Sequence, residues 1–136
     1  MTATDRALEL VRAAAQAASD KLADHIIAFD VSEQLVITDA FVVCSATNDR
    51  QVKAIVDEVE DKLRELGAQP VRREGERDGR WVLLDYADIV VHVQHEEERS
   101  FYALERLWRD CPLIDLPDTV TTGAGGGTRS SADPRS

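Results

Sequence analysis

Residues 35–66, LVITDAFVVCSATNDRQVKAIVDEVEDKLREL, pass from an apolar, β-branched run directly into a helical pattern. The run at residues 35–46 is typical of a buried strand. Asn48 is suited to cap a helix, with Gln51 three residues later, and Gly67 suits the left-handed residue that follows a helix. The apolar residues between them recur every three or four positions, at Val52, Ile55, Val56, Val59, Leu63 and Leu66. The stretch therefore predicts a strand followed by an amphipathic helix.

The segment before this stretch predicts one helix and one strand. Thr4 is a plausible helix cap, and the residues after it form one apolar stripe: Leu8, Val11, Ala15, Ala18 and Leu22. Residues 25–31, HIIAFDV, are too few and too β-branched for a second helix, and the polar residues 32–34 follow them. We therefore expect a strand and a turn at this point.

The segment after Gly67 predicts three strands and a last helix. Residues 71–74 form a short strand, residues 75–79 a loop, and residues 81–93, WVLLDYADIVVHV, two strands joined by a turn that carries two carboxylates. The last helix begins in the acidic residues 96–98, ends before Pro112, and buries Phe101, Leu104, Leu107 and Trp108. This order predicts a single α/β domain, with a mixed β-sheet flanked by α-helices and a parallel strand pair joined by the central helix.

The composition limits the partners. The chain has 136 residues, with 26 acidic against 16 basic side chains and a formal charge of -10. Such an excess of carboxylates opposes autonomous binding to a phosphate backbone and favours a basic partner. We therefore expect no primary binding to nucleic acid.

The chain divides into one domain at residues 1–116 and a tail at residues 117–136. The tail is rich in Gly, Ser and Thr and offers almost no large apolar residue, so we expect it to be disordered. No apolar run approaches the roughly 20 residues that span a bilayer, and no signal peptide is evident, so we expect a cytoplasmic protein without membrane contact. Cys44 and Cys111 have neither metal-ligand nor redox spacing, which indicates reduced structural thiols.

The carboxylates Asp85 and Asp88 raise the question of catalysis. A nucleotidyltransferase needs two carboxylates on one strand face, at i and i+2, to hold a magnesium ion near the substrate phosphates. These two lie at i and i+3 around a turn, and residues 44–49, CSATND, lack the glycine-serine pair that cradles phosphate. We interpret them as turn acids that bond nearby backbone amides. A degenerate nucleotidyltransferase that binds a nucleotide with magnesium stays open as an alternative.

Two further groups of residues are weak candidates for a functional site. His92 and His95 lie at i and i+3 on a strand, which points them to opposite faces, and no further ligand completes a tetrahedral metal site. Residues 71–80, VRREGERDGR, carry four arginines that could touch an RNA phosphate, but interleaved acids cancel most of their field. We expect no metal site and no cofactor, and an RNA-binding module is the least favoured hypothesis.

The strand that begins at Trp81 has apolar residues on both faces. Trp81, Leu83 and Asp85 lie on one face, and Val82 and Leu84 lie on the other. Trp81 is either a core residue or an aromatic anchor for another protein, because exposed aromatic residues near polar turns are typical of interface hot spots.

Five motifs stand in order within residues 8–108: Asp30-Val31-Ser32, Thr38-Asp39 before Phe41-Val42-Val43, Asp49-Arg50-Gln51-Val52, Trp81 with Asp85, Asp88 and His92, and Phe101-Tyr102-Ala103-Leu104-Glu105-Arg106-Leu107-Trp108. Together they resemble the ribosomal silencing factor family, also called the Iojap family. The chain departs from many relatives at Ala46, where they have glycine, and at Gln94, where they have an aromatic residue.

The resemblance implies a nucleotidyltransferase-like shape without the catalytic site, and a function in binding rather than chemistry. Members of the family bind the large ribosomal subunit through its fourteenth ribosomal protein and block association with the small subunit. They thereby repress translation when nutrients are scarce, and the resemblance implies that this protein is a homodimer when free. The resemblance places the partner-binding site of this chain at Trp81, Asp85, Tyr86, Asp88 and His92. Because Tyr86 lies beside the turn, we expect its side chain to be partly exposed.

Overall fold

The computed structural model describes residues 3–75, 81–96, 111–117 and 120, which form two helices and five strands. The elements are α1 (Asp5–Asp20), β1 (Asp24–Asp30), β2 (Ala40–Ala46), α2 (Asp49–Glu65), β3 (Arg72–Glu74), β4 (Trp81–Asp85) and β5 (Ile89–His95). The last helix expected from the sequence lies almost wholly outside the described residues.

Both helices begin where the sequence indicates. The Thr4 side chain accepts a hydrogen bond of 3.1 Å from the Ala7 amide, and the Asn48 side chain accepts one of 2.8 Å from the Gln51 amide. Gly67 follows α2 with a φ of +83°, as predicted. The cap positions of both helices are therefore encoded locally.

The first helix ends earlier than its apolar stripe suggests. Helix α1 stops at Asp20, and Leu22 has a φ of +65° and a side chain that is 76% exposed. The assignment of Leu22 to the buried stripe was wrong, because the chain reverses there and Ala23 enters the core instead. Gln51 secures this reversal, since its side-chain amide donates to the carbonyls of Lys21 and Leu22 at 3.0 and 2.9 Å.

The strands form one mixed sheet in the order β1-β2-β5-β4-β3. The β2 and β5 strands are parallel, with Ala40 opposite Ile89 and Ala46 opposite His95, and the other neighbouring pairs are antiparallel. The predicted parallel pair is present. Its connection runs through α2 and then through β3 and β4, so the helix alone does not join the two strands.

The run expected as one strand from residue 35 becomes a strand only at Ala40. Residues 34 and 35 turn back, because both amides donate to the Val31 carbonyl at 2.9 Å. Val36 and Ile37 then project into solvent, whereas Thr38 is buried. The early part of the run has no strand partner, since β1 has already ended at Asp30.

The two helices pack on one face of the sheet. This face is apolar and carries Ala40, Val42, Cys44, Val82, Leu84, Ile89, Val91 and Val93, all of which are buried. A smaller cluster lies on the second face and contains Phe29, Val31, Val43 and Cys111. Cys44 and Cys111 are both buried thiols. The single α/β domain with a mixed sheet, expected from the sequence, is thus observed.

The segment after residue 110 pairs with the outer edge of β1. The Pro112 carbonyl accepts from the Asp30 amide at 2.8 Å, and the Ile114 amide donates to the Ala28 carbonyl at 2.9 Å. Val120 is buried in the larger core cluster, although it belongs to the predicted tail. The other tail residues that the structure describes reach only to Pro117, so disorder of the tail stays a prediction.

Candidate functional site

The β4–β5 hairpin positions all five residues of the expected binding site. In its register Trp81 lies opposite Gln94, Leu83 opposite His92, and Asp85 opposite Val90. The hairpin therefore separates Trp81, at the start of β4, from the turn after Asp85. Four residue steps of about 3.3 Å place these two ends roughly 13 Å apart.

Trp81 and His92 are in contact on the second face of the sheet. The Trp81 side chain is 42% exposed, which excludes the fully buried core position. Its indole nitrogen donates to His92 Nδ1 at 3.4 Å, and the two ring centroids are 6.2 Å apart. Phe41 on β2 also packs against His92, and the two ring centroids are 5.0 Å apart. One face of Trp81 is therefore held by the protein while the remainder meets solvent.

His92 is a buried, neutral imidazole. It is 6% exposed, and burial lowers its pKa to about 4. Because Nδ1 accepts the indole proton, the imidazole hydrogen belongs on Nε2. That Nε2 is buried and has no hydrogen-bond partner among the described residues. His92 therefore supports Trp81 from beneath and is itself almost inaccessible.

Asp85 organises the turn between the two strands. Its carboxylate accepts a hydrogen bond of 2.8 Å from the Ala87 amide, and Ala87 has a φ of +71°. The interpretation of Asp85 as a turn acid is confirmed. Arg72 of β3 lies 3.7 Å from the same carboxylate, and the Asp88 side chain is exposed.

Tyr86 does not lie at the surface as expected. It is 5% exposed and belongs to the core cluster beneath the helices, on the face opposite Trp81. Burial raises the pKa of its hydroxyl, and the Glu60 carboxylate raises it further. The expectation of partial exposure was wrong because the alternation of Val82 and Leu84 continues one step past the end of β4. That alternation was available in the sequence.

The arginines on β3 are engaged by acids. Arg72 contacts Glu74 at 3.1 Å, and Arg73 contacts Glu60 at 2.6 Å. Arg77 and Arg80 lie outside the described residues. Two of the four arginines thus carry partners of opposite charge, which favours a solvated ionic surface over a phosphate site.

The described residues offer no candidate metal site. They contain no group of three or more His, Cys, Asp or Glu side chains placed to hold a metal ion. His92 and His95 are both buried and project from opposite faces of β5. In the part of the chain that the structure covers, no helix is both long and apolar enough to cross a membrane.

Sequence reasoning missed two features near the hairpin. Phe41 supports the Trp81–His92 pair from β2, a contact that the strand pairing alone creates. Val36 and Ile37 are 102% and 81% exposed beside the turn, although their β-branched character suggested a buried strand. Local sequence patterns predict neither the Phe41 contact nor the exposure of Val36 and Ile37.

Comparison with known proteins gives a consistent result. Residues 4–135 match a family model described as "Ribosomal silencing factor during starvation". The chain is 45% identical over 107 residues to the ribosomal silencing factor RsfS of Bacillus subtilis, covering 79% of this chain and 91% of that protein. It is 31% identical to the chloroplastic protein Iojap of Zea mays, covering 76% of this chain and 45% of that protein.

A solved structure supports the fold. A crystal structure of a Bacillus halodurans protein superposes with a TM-score of 0.70 at 38% identity, covering 79% of this chain and 98% of that one.

Proposed function

The chain belongs to the ribosomal silencing factor family, a class of translation regulators, and from that premise we propose how it acts. It binds the large ribosomal subunit through the fourteenth ribosomal protein and prevents association with the small subunit by occupying the joining surface. Translation is thereby repressed under nutrient limitation. The protein acts in the cytoplasm.

The observation that carries this proposal is the exposure of Trp81. A tryptophan that is 42% exposed, yet held on one side by His92, is a preorganised anchor for another protein. Asp85 and Asp88 extend the contact along the hairpin to its turn. A typical interface buries about 800 Å² on each partner, which is wide enough to include both ends of the hairpin.

His92 and Tyr86 serve the contact indirectly. His92 fixes the Trp81 ring, and Tyr86 anchors the turn to the helical layer from the opposite face. Neither side chain presents enough surface to act as a hot spot by itself. The five residues of the expected site thus divide into three that meet the partner and two that support them.

The charge of the chain supports a protein partner. With a net charge of -10 it is attracted to a basic ribosomal protein and repelled by ribosomal RNA. Occlusion requires no reaction, so this mechanism uses no catalytic residue, metal or cofactor. No observation on the described residues favours the nucleotidyltransferase alternative.

The test is co-sedimentation of a Trp81→Ala variant with purified large subunits. Loss of a central aromatic anchor costs about 2 kcal/mol or more of binding, roughly a thirtyfold loss in affinity. Because the Trp81 side chain is partly exposed in the wild type, the melting temperature of the Trp81→Ala variant should fall only slightly. Wild-type affinity of the variant for large subunits would contradict the proposal.

Leu22→Asn is a matched control for this experiment. Leu22 is another exposed apolar residue, it lies in the α1–β1 connection, and asparagine tolerates its positive φ. This variant should bind as the wild type does. Tyr86→Ala does not serve as a surface control, because removing a buried ring leaves a cavity and destabilises the fold.

A further inference from the structure

Three of the large apolar residues that the structure leaves exposed gather at one end of the sheet. Val36 and Ile37 precede β2, and Val71 precedes β3. Between them, at the same end, lie Asp88 and Asp85 of the β4–β5 turn. We call Val36, Ile37, Asp88, Asp85 and Val71 the sheet-end strip.

Backbone hydrogen bonds hold the strip together. The Asp39 amide, two residues after Ile37, donates to the Asp88 carbonyl at 3.0 Å, and the Val71 amide donates to the Asp85 carbonyl at 2.7 Å. The strand order β2-β5-β4-β3 separates the two ends of the strip by three strand spacings of about 4.8 Å, or roughly 15 Å. The residues of the strip therefore follow one another along the same end of the sheet.

The backbone that presents Val36 and Ile37 is fixed. The residue before them, Leu35, bonds through its amide to the Val31 carbonyl at 2.9 Å, and the Asp39 carbonyl after them accepts from the Val31 amide at 2.9 Å. Thr38 is buried directly beside Ile37. Two β-branched side chains held outward by an ordered backbone are already arranged for contact, so little conformational entropy is lost when they are covered.

The charges of the strip select the partner. Asp88 is exposed, and within the described residues its carboxylate forms no ion pair. Asp85 is only partly balanced by Arg72 at 3.7 Å. An apolar pair beside an uncompensated carboxylate complements a basic polypeptide segment and repels a phosphate backbone.

We propose that the sheet-end strip is a docking surface for a basic segment of a ribosomal protein, which places an apolar side chain on Val36 and Ile37 and a lysine or arginine over Asp88. The inference rests on the proposed function and extends its contact at Asp85 and Asp88 onto Val36 and Ile37, at the end of the sheet opposite Trp81. The same ribosomal protein meets both surfaces, because the two ends of the hairpin lie within the width of one interface.

The experiment measures co-sedimentation of three variants with purified large subunits. Val36→Ser combined with Ile37→Ser should weaken binding at least about tenfold, because the apolar contact is removed. Its melting temperature should match that of the wild type, since both side chains lie in solvent. Asp88→Asn should weaken binding several-fold and make it less sensitive to salt. Leu22→Asn, at the opposite end of the sheet, should bind normally.

The outcomes separate this inference from the proposed function. If wild-type protein and all variants fail to bind large subunits, the proposed function and the inference both fall. If Trp81→Ala and Asp88→Asn bind weakly while the double variant binds normally, the inference alone is overturned. Binding of protein-free ribosomal RNA as tight as binding of whole subunits would also overturn it, because the partner would then be nucleic acid.

Discussion

Trp81 and His92 show how a buried group can set the properties of an exposed one. The imidazole accepts the indole proton only while it is neutral, and its burial lowers the pKa to about 4 and keeps it neutral at physiological pH. Protonation would turn the acceptor into a donor and leave a charge under the tryptophan. The anchor is therefore linked to the charge state of a residue that the partner hardly touches.

This linkage predicts an acid-sensitive fold. The unfolded imidazole binds a proton near pH 6.5 and the folded one only near pH 4, so its contribution to stability is complete above pH 6.5 and is lost as the pH falls toward 4. The free energy of unfolding, from urea denaturation at each pH, should decrease by up to about 3 kcal/mol across this interval through His92 alone.

A His92→Gln variant is the comparison for that measurement. Glutamine does not titrate, so the difference in slope between the two proteins isolates the contribution of the imidazole. Equal slopes for wild type and variant between pH 6.5 and 4 would show that His92 does not carry the effect. Direct titration of the imidazole proton resonances should place its midpoint well below 6.5.

At the scale of elements, the tight approach between β3 and β4 depends on glycine. Gly75 has a φ of +85°, and a β-carbon at this position would lie 1.8 Å from the Trp81 carbonyl oxygen. The backbone must shift to admit any side chain, and a positive φ adds strain of its own. Gly75 thus permits the close backbone contact with Trp81, the first residue of β4.

Gly75→Ala should therefore destabilise the protein by at least about 2 kcal/mol, measured by thermal or urea unfolding. Gly67→Ala is the matched control: its φ is +83°, but the nearest atom to an added β-carbon is Arg6 Nη2 at 3.9 Å. It should cost only the conformational strain, roughly 1 kcal/mol. Similar losses in the two variants would mean that the contact with Trp81 has little effect.

The sequence predicted those elements whose start or end is determined by residues close by in the chain. The N-caps at Thr4 and Asn48, the residue after α2 and the β4–β5 hairpin all depend on neighbours a few positions away. The start of β2 depends instead on where β1 ends, because Ala40 pairs with Asp30. The local sequence around Ala40 does not predict this pairing. The site divides in the same way: the turn role of Asp85 was predictable, whereas the Phe41 contact required the strand order.

At the scale of the whole molecule, exposed apolar surface favours self-association. Trp81 on the second face and Val36 with Ile37 at the sheet end are costly to leave in water. A second copy of the chain can cover such surface when the ribosome is absent. We therefore expect the free protein to be a homodimer whose interface overlaps the ribosome-binding surface.

Overlap of the two surfaces makes dimerisation and ribosome binding compete. Raising the protein concentration should increase the dimer fraction in sedimentation velocity, and the capture of large subunits should rise less than in proportion to total protein, because only the monomer presents Trp81. The Trp81→Ala variant should dissociate at higher concentration than the wild type if the ring lies in the dimer interface. A complex that contains an intact dimer bound to one large subunit would contradict the competition, because the Trp81 surface cannot be covered twice. If the protein is a monomer at all concentrations tested, the predicted homodimer is wrong and no competition with ribosome binding occurs.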